Sequence, residues 1–163
     1  MFKIFIDGQN GTTGLQIKDR LVERGDIEPI ELLDAERKTD AAKRAALDAA
    51  DVAILCLPDD AARQTAALAK KTRLIDASTA HRTHPDWTYG LPELCPEQRR
   101  KIQTAQRVSN PGCYPTGFIL LVRTLIALGL LKPEQTIFVS ALSGYSGGGK
   151  AMIKNNQEQS QPT

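Results

Sequence analysis

"FKIFIDGQNGTTGLQI", residues 2–17, decides the fold. A short apolar run over residues 2–6, with Lys3 as its only charge, closes on Asp7-Gly8 and reads as a buried parallel strand. Directly behind it stand Gly8, Gly11 and Gly14, and from Thr13 the apolar positions Leu15, Ile17, Leu21 and Val22 follow a helical stripe that ends near Gly25. Glycines let a backbone bend tightly and approach a pyrophosphate, while the unpaired N–H groups and positive dipole end of the following helix hold the anion. Thr12 and Thr13 add hydroxyl donors. The spacing is G-x-x-G-x-x-G rather than the commoner G-x-G-x-x-G, so the competing reading is a tight strand-to-helix turn that binds nothing. The β-α pattern of the rest of the chain favours a dinucleotide.

Strand and helix patterns keep alternating. Residues 28–34 read as a second strand, the alanine-rich residues 37–50 as a helix, and residues 51–58 as an apolar third strand closed by Pro58, with Cys56 in its middle. Residues 58–71 open with proline and two aspartates and close on two lysines, which suits the two ends of a helix dipole. Residues 73–78 form a fourth strand. The aromatic-containing stretch 79–96 is irregular, residues 97–105 are helical, and "RVSN" is a short fifth strand. Repeated β-α units specify an α/β fold, a doubly wound Rossmann-type parallel sheet with helices on both faces. Ligands of such sheets sit at the carboxyl ends of the strands, where the Gly8 turn, Pro58, Ser78 and Asn110 are expected to cluster.

Two positions carry chemistry. At the end of the second strand, Asp34 lies roughly 20 residues beyond Gly14, where a carboxylate accepts from a ribose 2′-OH as in NAD sites. Arg37 and Lys38 compete with it, because their charge suits the 2′-phosphate of NADP. Residue types alone leave that choice open. Further on, "SNPGCYPTGF" (109–118) folds Pro111-Gly112 into a sharp turn and places Cys113 at the start of a helix running through Phe118, Leu121, Leu125 and Leu128. A helix N-terminus favours the thiolate, which is the nucleophilic form. Free cysteine is also among the most buried residue types, so a cramped core residue is the other reading. Beside a nicotinamide, a cysteine thiolate means covalent capture of an acyl carbon followed by hydride transfer. Cys56 reads as inert core, and Cys95, before Pro96 and without a glycine turn, as a weaker candidate.

The composition narrows the setting. The 163 residues are 41% apolar and 25% charged with a formal charge of +2, an ordinary globular balance without the basic tail or patch of a polynucleotide binder. A small molecule is the expected partner. The N-terminus lacks a secretory h-region, and the longest apolar stretch, 117–131, is short for a membrane span and contains Arg123. Three cysteines fit neither a C-x-x-C pair nor a zinc cluster, and "HRTHPD" is too sparse for a metal site. Reduced thiols, no metal and a cytoplasmic location are expected.

"DGQNGTTGLQI", "AILCLPDDAA", "DASTAHR", "YGLPEL", "SNPGCYPTG" and "SGYSGGGK", in that order, resemble the N-acetyl-gamma-glutamyl-phosphate reductase family, in its shorter subfamily, over essentially the whole chain. Aspartate-semialdehyde dehydrogenase shares the general plan. The resemblance implies NADP(H) at Gly8, Gly11, Thr12, Thr13 and Gly14, with Arg37, Lys38 and Ser78 contributing, and Cys113 as the acyl-accepting nucleophile. It further implies NADPH-dependent reduction of N-acetyl-5-glutamyl phosphate to the semialdehyde in arginine biosynthesis, with Arg82 holding the substrate phosphate. Asn110 is expected to orient the substrate, donate to the oxyanion or cap the turn. Related acyl-phosphate reduction and a non-catalytic NADP-binding module are the alternatives. The implied organisation is a dinucleotide-binding domain over 1–112 and, over 113–163, the beginning of a second α/β substrate and dimerisation domain of a homo-oligomer. Residues 136–142 are expected to form an apolar strand of that second domain. The family's acid/base histidine has no match, since the chain holds only His81 and His84, both before Cys113. The chain is therefore expected to be an N-terminal portion able to bind cofactor but not to turn over.

Overall fold

Six parallel strands form one sheet in the computed structural model, which describes residues 1–142. The glycine-rich stretch 143–150 and the polar tail after it lie outside the described residues. The strands are β1 (Phe2–Asp7), β2 (Ile27–Ile30), β3 (Val52–Leu55), β4 (Arg73–Asp76), β5 (Thr88–Tyr89) and β6 (Arg107–Ser109), in the order β2-β1-β3-β4-β6-β5. The helices are α1 (Thr12–Val22), α2 (Asp40–Ala49), α3 (Asp59–Leu68), α4 (Gln98–Thr104) and α5 (Cys113–Ala127). Because β1 leads outward to β2 and the chain then crosses back to β3, the strand order reverses between β1 and β3. Right-handed crossovers accordingly place α1 on one face and the packed pair α2 and α3 on the other.

In the sheet register Asp7 stands opposite Leu55, Leu55 opposite Asp76, and Asp76 opposite Ser109. These four therefore point to one face at the carboxyl edge. Below them Phe5, Ala53 and Leu74 pack with Leu55, with Leu47 and Ala66 from the helices and with Trp87 from the long loop. Pro29 is accommodated because β2 is an edge strand.

The observed elements are shorter than the sequence pattern indicates. β2 stops at Ile30, where its pairing with β1 ends at Phe5, and the chain leaves the sheet. α2 starts at Asp40 rather than at residue 37, since Thr39 is extended and its hydroxyl donates back to the Glu36 carbonyl. Arg37 and Lys38 thus belong to the preceding turn. β3 ends at Leu55, so Cys56 follows the strand instead of lying within it. β4 ends at Asp76, leaving Ser78 in the next loop. α1 buries only Gly14, while Leu15 and Val22 of the expected stripe are exposed. β5 and a 3₁₀ turn at Pro92–Leu94 order the segment that reads as irregular.

Residues 136–142 form no strand. Their apolar side chains find no ladder among the described residues, and Phe138 is 97% exposed. No helix of the described residues is long and apolar enough to cross a membrane.

Candidate active site

β1 delivers the chain to Gly8 with φ +90, a conformation that disfavours any side chain. A Cβ there would also collide with the Cys56 carbonyl, and one on Gly14 would collide with the Gly8 carbonyl. The turn is pressed between the end of β3 and the first turn of α1. Gly11 caps α1 with extended backbone and no side-chain hydrogen bond, so Thr12, Thr13 and Gly14 present helix-start N–H groups that lack intrahelical partners. Beside the turn lies a cleft of about 420 Å³ lined by Gly8, Asn10, Gly11, Arg37, Lys38 and Lys43 among others. Asp34 does not line it. Its carboxylate is turned outward and paired with Arg37 Nη1 at 2.9 Å, while Arg37 Nε donates to the Leu32 carbonyl.

The cleft rests on an ion pair that pattern reading does not register. Asp7 Oδ2, nearly buried, accepts from Lys43 Nζ at 2.8 Å and from Thr65 Oγ1 at 2.9 Å, and Lys43 Nζ also donates to Thr65 Oγ1. One carboxylate at the end of β1 thus ties α2 to α3. Lys43 sits in an alanine-rich helix and carries no spacing signal.

Across β3 and β4, on the same carboxyl edge, β6 leads into the cysteine turn. The Asn110 N–H donates to the Asp76 carbonyl at 2.7 Å, and Gly112 caps α5 with φ −77 and ψ 158. Cys113 is the first residue of α5 and is exposed. Its thiol opens on an apolar groove that also touches Tyr114, Phe118 and Phe138. Arg82 Nε donates to the Asn110 carbonyl at 3.2 Å and Nη2 to the Ala77 carbonyl at 3.4 Å. Its guanidinium fills the space where a side chain on Gly112 would stand, with Nη1 2.6 Å from the position of a Cβ. Arg82 therefore reaches the Asn110 carbonyl and packs on Gly112, the residue before Cys113. The Asn110 side chain donates to the Pro111 carbonyl at 3.2 Å, in keeping with a turn cap.

The two other thiols differ in setting. Burial, then the Asp76 and Asp7 carboxylates, push the Cys56 thiol up to about 11. Cys95 Sγ lies 3.7 Å from Gln98 Oε1.

The loop after β4 is held by two carboxylates. Asp76, fully buried, accepts from the Ser78 N–H and hydroxyl and from His81 Nδ1 at 2.6 Å. Ser78 is itself nearly buried, and its oxygen accepts from the Ala80 N–H. Asp59, in the first turn of α3, accepts from the Thr79 hydroxyl at 2.6 Å and the Thr79 N–H at 3.0 Å. The Thr79 hydroxyl, ahead of its N–H and Arg63, holds the Asp59 carboxyl below the usual carboxylate range. The His81 ring stacks on Trp87 with centroids 4.0 Å apart.

Gly112→Ala tests whether Arg82 binds an anion at this turn, apart from folding. Its backbone angles suit alanine, and the nearest atom a methyl meets is the far end of the flexible Arg82 side chain, with Pro115 Cδ at 3.2 Å. The expected destabilisation is about 1 kcal/mol or less, the value of weak carbonyl hydrogen bonds. With the guanidinium evicted, the inorganic phosphate concentration that protects Cys113 from alkylation is expected to rise about tenfold. Unchanged protection would disconnect Arg82 from anions at this turn.

Residues 14–102 match the family described as semialdehyde dehydrogenase, NAD binding domain. The chain belongs to the semialdehyde dehydrogenase family. Residues 113–162 match the same family's dimerisation domain, a match that begins at Cys113. The chain is 54% identical to the N-acetyl-gamma-glutamyl-phosphate reductase of Brucella anthropi, covering 98% of this chain and 52% of the relative. It is 53% identical to the enzyme of that name from Brucella ovis, again over 98% of this chain and 53% of the relative. The chain thus spans about half the length of these curated relatives. Among solved semialdehyde dehydrogenases, the aspartate semialdehyde dehydrogenase of Francisella tularensis superimposes with a TM-score of 0.68 at 19% identity, over 98% of this chain and 49% of the other. The Vibrio cholerae aspartate semialdehyde dehydrogenase II superimposes at 0.58 and 17%, over 98% and 51%. At these identities the likeness concerns the fold.

Proposed function

We propose that this chain supplies the cofactor site and the acyl-accepting cysteine of an NADPH-dependent reductase. The reaction converts N-acetyl-5-glutamyl phosphate to N-acetyl-glutamate 5-semialdehyde and phosphate, a step of arginine biosynthesis in the cytoplasm. The observation that carries this reading is the Arg82 guanidinium packed on Gly112, the residue directly before Cys113 at the head of α5. Residues 1–112 form the dinucleotide-binding part, and residues 113–163 begin the substrate and dimerisation part of a homo-oligomer.

The chain's own residues account for the first half of the chemistry. Cys113 Sγ, at the start of α5, attacks the acyl carbon. An S–C bond forms, the C–O bond to the phosphoryl group breaks, and the electron pair leaves with inorganic phosphate. Arg82 receives that phosphate charge, and Asn110 keeps the turn in shape. Gly8, Gly11 and Gly14 fit a pyrophosphate, since Cβ atoms on Gly8 and Gly14 would close the turn, while Thr12 and Thr13 contribute N–H groups. Ser78 takes part through the β4 end that its hydroxyl holds on Asp76. NADPH, when bound, supplies the hydride that reduces the thioester and releases the semialdehyde.

The cleft wall bears on cofactor choice. Arg37 and Lys38 line it and Asp34 does not, which supports a 2′-phosphate over a free 2′-OH. Titrations followed by nicotinamide fluorescence are expected to give NADPH the tighter binding. Lys38→Ala is expected to weaken NADPH about tenfold, the worth of one charge-assisted contact, and to leave NADH unchanged. A clear preference of the parent chain for NADH would sink this assignment.

A further inference from the structure

Arg82 is poorly fixed by its own contacts. Its guanidinium makes two long hydrogen bonds, 3.2 and 3.4 Å, both to backbone carbonyls, and its N–H reaches the Thr79 carbonyl only at 3.5 Å. A flexible side chain at the surface needs its backbone held if it is to stay over the cysteine turn. The segment leading to it is anchored in order by Ser78 on Asp76, Thr79 on Asp59 and His81 on Asp76. His81 is the last of these and the immediate neighbour of Arg82.

The His81 ring has almost no freedom. It is 6% exposed, its Nδ1 lies 2.6 Å from a carboxylate with no solvent access, and one face lies 12° from parallel to Trp87. Trp87 belongs to the main core cluster, and the Arg107 guanidinium stands 5.8 Å from its ring centroid. Moving the imidazole means unstacking it from the core and leaving the buried Asp76 carboxylate with Ser78 alone. This ring is therefore committed to support.

We propose that His81 is the positioning residue of the anion subsite, its ring fixed between Asp76 and Trp87 so that the adjoining Arg82 stays over the Gly112–Cys113 turn. The inference rests on the proposed roles of Cys113 and Arg82 and adds what holds them in register.

The test uses the whole chain and two alkylating agents, anionic iodoacetate and neutral iodoacetamide, with Cys113 modification followed by peptide mass. The ratio of the two rates reports positive charge beside the thiol. Arg82→Ala is expected to lower the ratio about fivefold, the effect of one exposed unit charge a few ångströms away. His81→Phe, which keeps an aromatic ring on Trp87 but offers Asp76 no donor, is expected to lower it equally and to add nothing in the Arg82→Ala background. His81→Asn, whose amide can donate to Asp76, is expected to stay within about twofold of the parent. Should His81→Phe fail to fold, Asp76→Asn/His81→Phe removes the same hydrogen bond without leaving a buried charge unpaired, and its outcomes read the same way. A parental ratio in the His81→Phe chain, or a further fall on top of Arg82→Ala, overturns the proposal. A ratio unmoved by Arg82→Ala overturns the reading of the site itself, and the role of His81 with it.

Discussion

Cys113→Ser is expected to eliminate the stoichiometric release of phosphate from N-acetyl-5-glutamyl phosphate, lowering its rate by at least ~10³-fold, together with the acyl adduct on the chain. Both the thiol and its replacement stand at the head of α5, where the helix end favours an anion. A thiol reaches its anionic form near neutral pH, whereas a serine hydroxyl needs an adjacent base, and no described hydrogen bond brings one to Cys113. Rapid-quench phosphate release and intact-mass detection of the adduct measure the two sides of the step. Adduct formation on the serine variant at the parental rate would end the assignment. Cys56→Ser is expected to change neither quantity, because the Cys56 thiol, pushed up to about 11, stays protonated at neutral pH. The sign of the linkage is fixed by that direction. Unfolding frees a thiol with the ordinary value of 9.0, so the native state holds the extra proton between 9 and 11 and loses stability as pH rises through that window.

Lys43→Met is expected to destabilise the chain by about 3 kcal/mol, read as a lower denaturation midpoint. Lys43 and Asp7 are both largely buried, and removing the ammonium leaves the Asp7 carboxylate with the Thr65 hydroxyl alone. Desolvation of an unpaired carboxylate outweighs what the methionine stem recovers by packing. The double variant Asp7→Asn/Lys43→Met removes the charge as well as its partner and is expected to regain most of the loss, since the introduced amide carbonyl still accepts from Thr65. Equal stability of the single variant and the parent, or of the single and double variants, would show that the pair is solvated rather than buried. The effect extends to the cleft, because Lys43 also lines it.

How much of this is legible in the sequence depends on where the information lies. Strands β1 and β3 and helix α5 announce themselves through apolar runs ended by glycine or proline, β4 and β6 through short runs and α3 through Pro58 and the aspartates at its start, and they form within a few residues of the expected positions. Boundaries shift where tertiary pairing decides them: β2 ends with its partner's register, and α2 waits for the extended Thr39. β5 has two residues, too few for any periodicity. Residues 136–142 show the converse, since an apolar pattern specifies a face to be covered but not the strand that covers it. At the site, the Gly8 turn and the Cys113 turn are local and therefore readable. Partners such as Asp7 and Thr65, 58 residues apart, are brought together only by the fold. The stack of His81 on Trp87 is equally silent, because a histidine six positions before a tryptophan has no signature of contact.

That stack also determines what the chain's light reports. Trp87 is the only tryptophan of the 163 residues, and its indole faces an imidazole at 4.0 Å. Tryptophan emission, excited apart from the tyrosines, therefore observes the loop between β4 and β5. A thermal scan recorded by fluorescence follows the release of that loop, while one recorded by far-ultraviolet dichroism follows the helices. Any gap between the two midpoints measures how far the anchoring of Arg82 outlasts, or precedes, the melting of the helices.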